Sequence, residues 1–165
     1  MFVAFEEMPG NSRVWIYQSD RVLSQDECNI IEENTKNFLS EWAAHGKGLK
    51  SSSRVIDNRF LLICVDEQAA MASGCSIDAS VHFVQTIGQK LKINFFDRTL
   101  IAFEDDGQLR VEPLNSIANL VSSGIITPDT LVRDNLVPDK SSFEKRWITP
   151  ASNTWMKRYF KKEEA

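Results

Sequence analysis

Apolar residues recur along this chain with two periods, and each change of period marks an element. Phe60 to Val65 is an unbroken apolar run, Phe-Leu-Leu-Ile-Cys-Val. A strand without polar alternation is covered on both faces, so this one is predicted in the middle of a sheet. Asp66 and Glu67 close it, and small residues with one Met lead to Ser76. The period then becomes threes and fours. Ile77, Val81, Val84, Gly88 and Leu91 form one stripe of a helix that starts near Ser73–Cys75 and ends near Lys92. Cys75, Asp78, His82, Gln85 and Gln89 fall on its opposite face.

Upstream, Arg13–Gln18 (RVWIYQ) reads as a strand with Trp15 and Tyr17 on one side and Val14 and Ile16 on the other. Both sides are apolar enough for a core. Ser24-Gln25-Asp26-Glu27 has the spacing of a capping box, and the helix it opens carries Ile31, Thr35, Phe38, Leu39 and Trp42 on one face. Gly46 is placed as the stop of that helix and His45 beside its C-terminal carbonyls. Lys47–Ser53 (KGLKSSS) reads as a loop. Strand, helix, strand is a crossover, which predicts Arg13–Gln18 and Phe60–Val65 to be parallel.

Downstream, Phe95-Phe96-Asp97-Arg98 leads into a hairpin around Asp106-Gly107. A two-residue turn sets Phe103 and Ile101 beside Arg110 and Glu112. A three-residue loop, Asp105-Asp106-Gly107, pairs Phe103 with Leu109 and Ile101 with Val111. Burial favours the second. Pro113 ends the hairpin, Leu114–Ser123 forms a short helix with Leu114, Ile117, Leu120 and Val121 inward, and Gly124 caps it. Thr130–Val132 is a short strand, and Phe143, Trp147 and Trp155 are expected to pack back over the sheet. The fold class is therefore α/β or α+β: a mixed sheet on the central strand, two packing helices, a hairpin and a short helix-turn-strand C-terminal part. Residues 1–165 are read as one domain, with a possible subdivision into 1–97 and 98–165.

Composition narrows the picture only a little. The 42% apolar and 25% charged residues are those of an ordinary globular protein, and a net charge of -4 gives no reason to expect nucleic acid. The basic stretch in Trp155–Lys162 (WMKRYFKK) is followed by Glu163 and Glu164 and reads as a solvated C-terminal element. No stretch approaches a membrane span, the N-terminus lacks the pattern of a signal peptide, and three unpaired cysteines suit the cytoplasm.

Candidate chemistry is confined to the polar face of the second helix. Cys75, Asp78 and His82 stand at i, i+3 and i+7, with the thiol near the helix N-terminus, where unpaired N–H groups favour a thiolate. His82 could act as its base and Asp78 orient the imidazole. Against this, Cys75 and His82 are about 10 Å apart along the axis, beyond a direct hydrogen bond. In the plainer reading Ser76 or Asp78 caps the helix, Cys75 packs in a tight turn and His82 faces solvent. No metal set and no cofactor motif is present. GxxxxGK[ST], the nucleotide phosphate loop, is absent, because Lys47 is followed by Gly48 between a helix and a strand.

Several strings resemble an uncharacterised family of small proteins from the Bacteroidetes: RVWIYQ (Arg13–Gln18), NRFLLICVDE (Asn58–Glu67), SGCSIDASVHF (Ser73–Phe83), FDR (Phe96–Arg98) and TLVRDNLV (Thr130–Val137). Members are sometimes labelled "ABC transporter ATPase". A second resemblance is local. The hairpin with Asp106-Gly107-Gln108, the Leu-rich helix, SSGIITPDTLV (Ser122–Val132), and then Trp147 and Pro150 are similar to the GYF-like domain. Known GYF domains bind proline-rich peptides through an aromatic patch that depends on a Gly-Pro-Phe step. The corresponding place here reads Val111-Glu112-Pro113-Leu114, so the resemblance implies the topology without that patch. Together these readings lead to a non-enzymatic interaction protein with an unidentified protein partner. The alternative is a thiol-dependent enzyme or redox sensor using Cys75.

Overall fold

The computed structural model describes residues 1–68 and 70–161; Ala69 and the chain end with Lys162, Glu163 and Glu164 lie outside the described residues. The fold is α+β with open sheets, and the chain forms two compact units. The first comprises Met1–Asp97 and Asn135–Phe143, the second Arg98–Asp134 and the chain from Glu144 on.

In the first unit β1 (Arg13–Gln18) leads to α1 (Gln25–Glu41). The capping box is formed as its sequence predicts: the Glu27 amide donates to Ser24 Oγ (3.1 Å) and the Ser24 amide to the Glu27 carboxylate (3.0 Å). That carboxylate also receives Arg21, whose guanidinium, with the cap, holds the Glu27 pKa down at about 2. Helix α1 stops at Trp42, before Gly46, and a small hairpin follows, β2 (Ala43–Ala44) and β3 (Lys47–Gly48). His45 and Gly46, with φ of 51° and 76°, are its two turn residues. Two successive left-handed residues are what such a hairpin requires, so His45 serves a turn and not the helix end.

The expected loop is mostly strand. β4 (Lys50–Ile56) pairs antiparallel with β5 (Phe60–Asp66), and β5 pairs antiparallel with β1 in the order β1-β5-β4. The predicted parallel pairing of Arg13–Gln18 with Phe60–Val65 is therefore wrong. The crossover through α1 does join two parallel strands, β1 and β4, but β5 returns from β4 by a short turn and inserts between them. Three serines disguised β4: Ser51 and Ser52 are buried and read in sequence as loop. The central position of β5 holds, since all seven of its residues are buried.

One sheet face carries Leu61, Ile63 and Val65 against Ile31 and Leu39 of α1 and Val84 and Ile87 of α2 (Gly74–Leu91). Trp15 and Tyr17 border this core, as their spacing predicts. On the other face Val14, Phe60, Leu62 and Cys64 are also buried. Phe5 belongs to this region, under the Arg54 guanidinium (4.1 Å) and edge-on to Phe143. The segment Asn135–Phe143 completes the unit: the Val14 amide donates to the Pro138 carbonyl (3.1 Å), and the buried Lys140 donates Nζ to the Met8 carbonyl (2.8 Å).

The second unit is built on β6 (Leu100–Asp105) and β7 (Gln108–Pro113). Their register pairs Ile101 with Glu112, Phe103 with Arg110 and Asp105 with Gln108. This is the two-residue turn, with Asp106 and Gly107 at φ of 51° and 74°, and it overturns the three-residue expectation. Turn chemistry prevailed because the polar partners cost little: Arg110 pairs with Asp105 (3.0 Å) and Glu112 (2.9 Å) while lying over the Phe103 ring. A short turn at Leu114–Ser116 and α3 (Ile117–Ser122) follow, stopped by Gly124 at φ 80°. Then come β8 (Leu131–Arg133), α4 (Lys140–Arg146), which carries the chain back from the first unit, and β9 (Ile148–Pro150), giving the sheet order β7-β6-β8-β9. Phe103, Ile117, Leu120, Ile126, Val132 and Met156 form its core. No helix among the described residues is long and apolar enough to cross a membrane.

Candidate functional site

The cap of α2 is Ser73, neither Ser76 nor Asp78: Ser73 Oγ accepts the Ser76 amide at 3.1 Å. Its buried stripe is rotated from the predicted one. Ser76, Ser80, Val84, Ile87 and Gly88 face inward, whereas Ile77 and Val81 are half-buried. Small hydroxyls point inward because they can bond the helix itself, as Ser80 Oγ does to the Ile77 carbonyl (2.6 Å).

The rotation leaves Cys75, Asp78 and His82 exposed on one face, as their spacing predicts. Among the described residues no hydrogen bond or ion pair joins them, and no group of three metal-ligating side chains is found. Cys75 is the exposed cysteine. Cys28 and Cys64 are buried, and burial pushes both thiols up, Cys64 to about 12. A thiol so raised stays protonated and inert at neutral pH.

Farther along the same face the structure builds a concavity that the sequence does not announce. Gln85 and Gln89 border a cleft of about 390 Å³ floored by Val84, Ile93 and Phe95 and edged by Phe96. It exists because α2 ends with Lys92 in the left-handed conformation (φ 57°), and the Ile93 amide returns to the Gly88 carbonyl at 2.8 Å. Phe96 meets the Tyr17 ring edge-on at 5.5 Å, and burial raises the Tyr17 hydroxyl pKa. Three side-chain amides, Gln85, Gln89 and Asn94, around an apolar floor suit a neutral polar ligand and provide no nucleophile or base.

The second unit carries a different surface. Trp155–Phe160 is a 3-10 helix capped by Thr154, whose hydroxyl accepts the Met156 amide (3.1 Å). Met156 is buried in the core, while Trp155 is 45% exposed. The basic stretch is thus anchored structure as far as Lys161, and Trp155 does not pack back over a sheet as expected. Trp147 is the buried one, under the Arg133 guanidinium at 5.2 Å. In a 3-10 turn residues three apart eclipse, which places Arg158 over the Trp155 ring (5.4 Å). Arg158 also lies over Tyr159 (5.1 Å), whose ring meets Trp155 edge-on at 6.1 Å. At Glu112-Pro113-Leu114, Pro113 ends β7, Leu114 is exposed, and Glu112 is held by Arg110.

No family model, curated protein or solved structure matches this chain.

Proposed function

We propose that this chain is a cytoplasmic protein-interaction module without a catalytic role of its own. One observation carries the reading: Trp155 is 45% exposed although its neighbour Met156 is fully buried in the second core. An indole presented on an anchored turn offers a large apolar contact with little left to immobilise on binding. Kinship with GYF-like domains is part of the proposal, supported by the order hairpin, short helix, turn and strand in Ile101–Val132, and kinship with the Bacteroidetes proteins is proposed from strings such as NRFLLICVDE (Asn58–Glu67). A reducing compartment is proposed from the unpaired Cys28, Cys64 and Cys75. Immobilised protein is expected to retain a discrete set of proteins from an extract of its own cells, and Trp155→Ala to lose them while unfolding at the same temperature. Retention of the same set by the folded Trp155→Ala protein would remove the support.

A second reading, a thiol-dependent enzyme or redox sensor, is favoured by the exposure of Cys75 in the first turn of α2, beside unpaired backbone N–H groups. A thiol probe at neutral pH is expected to modify Cys75 faster than a thiol in the unfolded chain, and to reach Cys64 only on unfolding. Cys75→Ser abolishes the fast phase without changing stability, and His82→Ala slows it. If Cys75 reacts no faster than the unfolded thiol, this reading falls.

A further inference from the structure

We infer that the Trp155–Lys161 surface binds an acidic segment of a partner protein, with a carboxylate on Arg158 and an apolar side chain on Trp155. This rests on the interaction reading above and gives it a ligand chemistry. Arg13, Arg21, Arg54, Arg110, Arg133 and Arg146 each pair with a carboxylate of this chain. Arg158 is held in another way. Its guanidinium rests over the rings of Trp155 (5.4 Å) and Tyr159 (5.1 Å), and one N–H donates to the Tyr159 hydroxyl (3.3 Å). Among the described residues no carboxylate lies within ion-pair distance of it.

Aromatic rings fix the plane of a guanidinium without neutralising it. What remains is a positive, planar fork, already oriented, whose outward N–H groups match the two oxygens of a carboxylate. Because the side chain is ordered before binding, less rotamer freedom is lost when the ligand arrives. Lys157 in the same 3-10 helix and Lys161 just after it are exposed and add charge of the same sign. This basic surface stands on a chain of net charge -4. The patch is short, one 3-10 helix, which matches a short acidic segment of a partner. The exposed indole beside the cation selects further, for a segment that carries an apolar side chain next to its acidic one.

Fluorescence anisotropy on the full chain tests this with labelled peptides of about ten residues. One interleaves Glu with Leu and Phe, and its counterpart has Gln in place of every Glu. The acidic peptide is expected to bind at least tenfold more tightly than the amide peptide and to weaken as salt is raised. Arg158→Gln and Trp155→Ala are each expected to weaken it at least fivefold, with thermal unfolding unchanged. Equal binding of the two peptides, or an unchanged affinity in Arg158→Gln, overturns the inference. So does tighter binding of a single-stranded oligonucleotide or of phosphatidylserine vesicles. If cellular partners are captured through Trp155 while the acidic peptide fails to bind, the interaction reading stands and this inference alone is lost.

Discussion

Gly88→Ala is expected to destabilise the first unit by about 2 kcal/mol, and Gly88→Val by more, in denaturant titrations. The sign opposes the usual one, since replacing a mid-helix glycine by alanine stabilises a helix by up to about 1 kcal/mol. Here a Cβ on Gly88 would stand 2.6 Å from the Ile93 carbonyl oxygen and 3.5 Å from the Phe95 ring. The backbone carbonyl is not the end of a flexible side chain. It belongs to the reversal in which the Ile93 amide bonds the Gly88 carbonyl, so moving it opens the helix end. Because the same reversal sets Ile93 and Phe95 beneath Gln85 and Gln89, the substitution deforms the cleft as well. A Gly88→Ala protein at least as stable as the parent would show that the helix end shifts without cost.

Trp42→Ala is expected to cost about 3–5 kcal/mol, enough to unfold much of a marginal domain at physiological temperature. Trp42 ends α1 and is only 4% exposed. Its indole N–H donates to the Ser76 carbonyl at 2.8 Å, tying the end of α1 to the first turn of α2. Its ring also meets Trp15 at 6.4 Å and Phe38 at 5.9 Å. Alanine leaves a large void among these rings and removes the donor. Trp42→Phe keeps part of the volume and loses the hydrogen bond, for a smaller cost of about 1–2 kcal/mol. Midpoints in urea check the order, parent above Trp42→Phe above Trp42→Ala. Near-equal midpoints for Trp42→Ala and the parent would mean that the region repacks freely.

What the sequence disclosed depended on whether local chemistry or long-range return decided each element. Phe60–Val65 declared itself because only a strand buried on both sides tolerates six apolar residues in a row. Ser24 and Glu27 announced the start of α1 because the cap is made within four residues. Ser51 and Ser52 hid β4 because consecutive buried serines carry no apolar signal, although its partner strand follows after a short turn. The Asp106-Gly107 turn is legible, but apolar matching across the strands points to a longer loop. The ion pairs of Arg110 with Asp105 and Glu112 remove the cost of setting polar side chains opposite Phe103 and Ile101. Helical spacing alone set Cys75, Asp78 and His82 on one face. The cleft at Gln85 and Gln89 was invisible, because it depends on Lys92 adopting a left-handed conformation that few lysines take. Arg158 over Trp155 was invisible because nothing in the sequence of Trp155–Phe160 marks it as a 3-10 helix.

The path of the chain has a consequence for its synthesis. Val14 gives its amide to Pro138, and Lys140 reaches Met8, so the first unit closes only after the whole stretch Arg98–Asp134 has been translated. At the usual pace of a ribosome that is a delay on the order of seconds, during which β1 presents an open edge. A nascent chain arrested just past Asp97 therefore offers that edge to chaperones and proteases. One arrested after Phe143 has emerged no longer does.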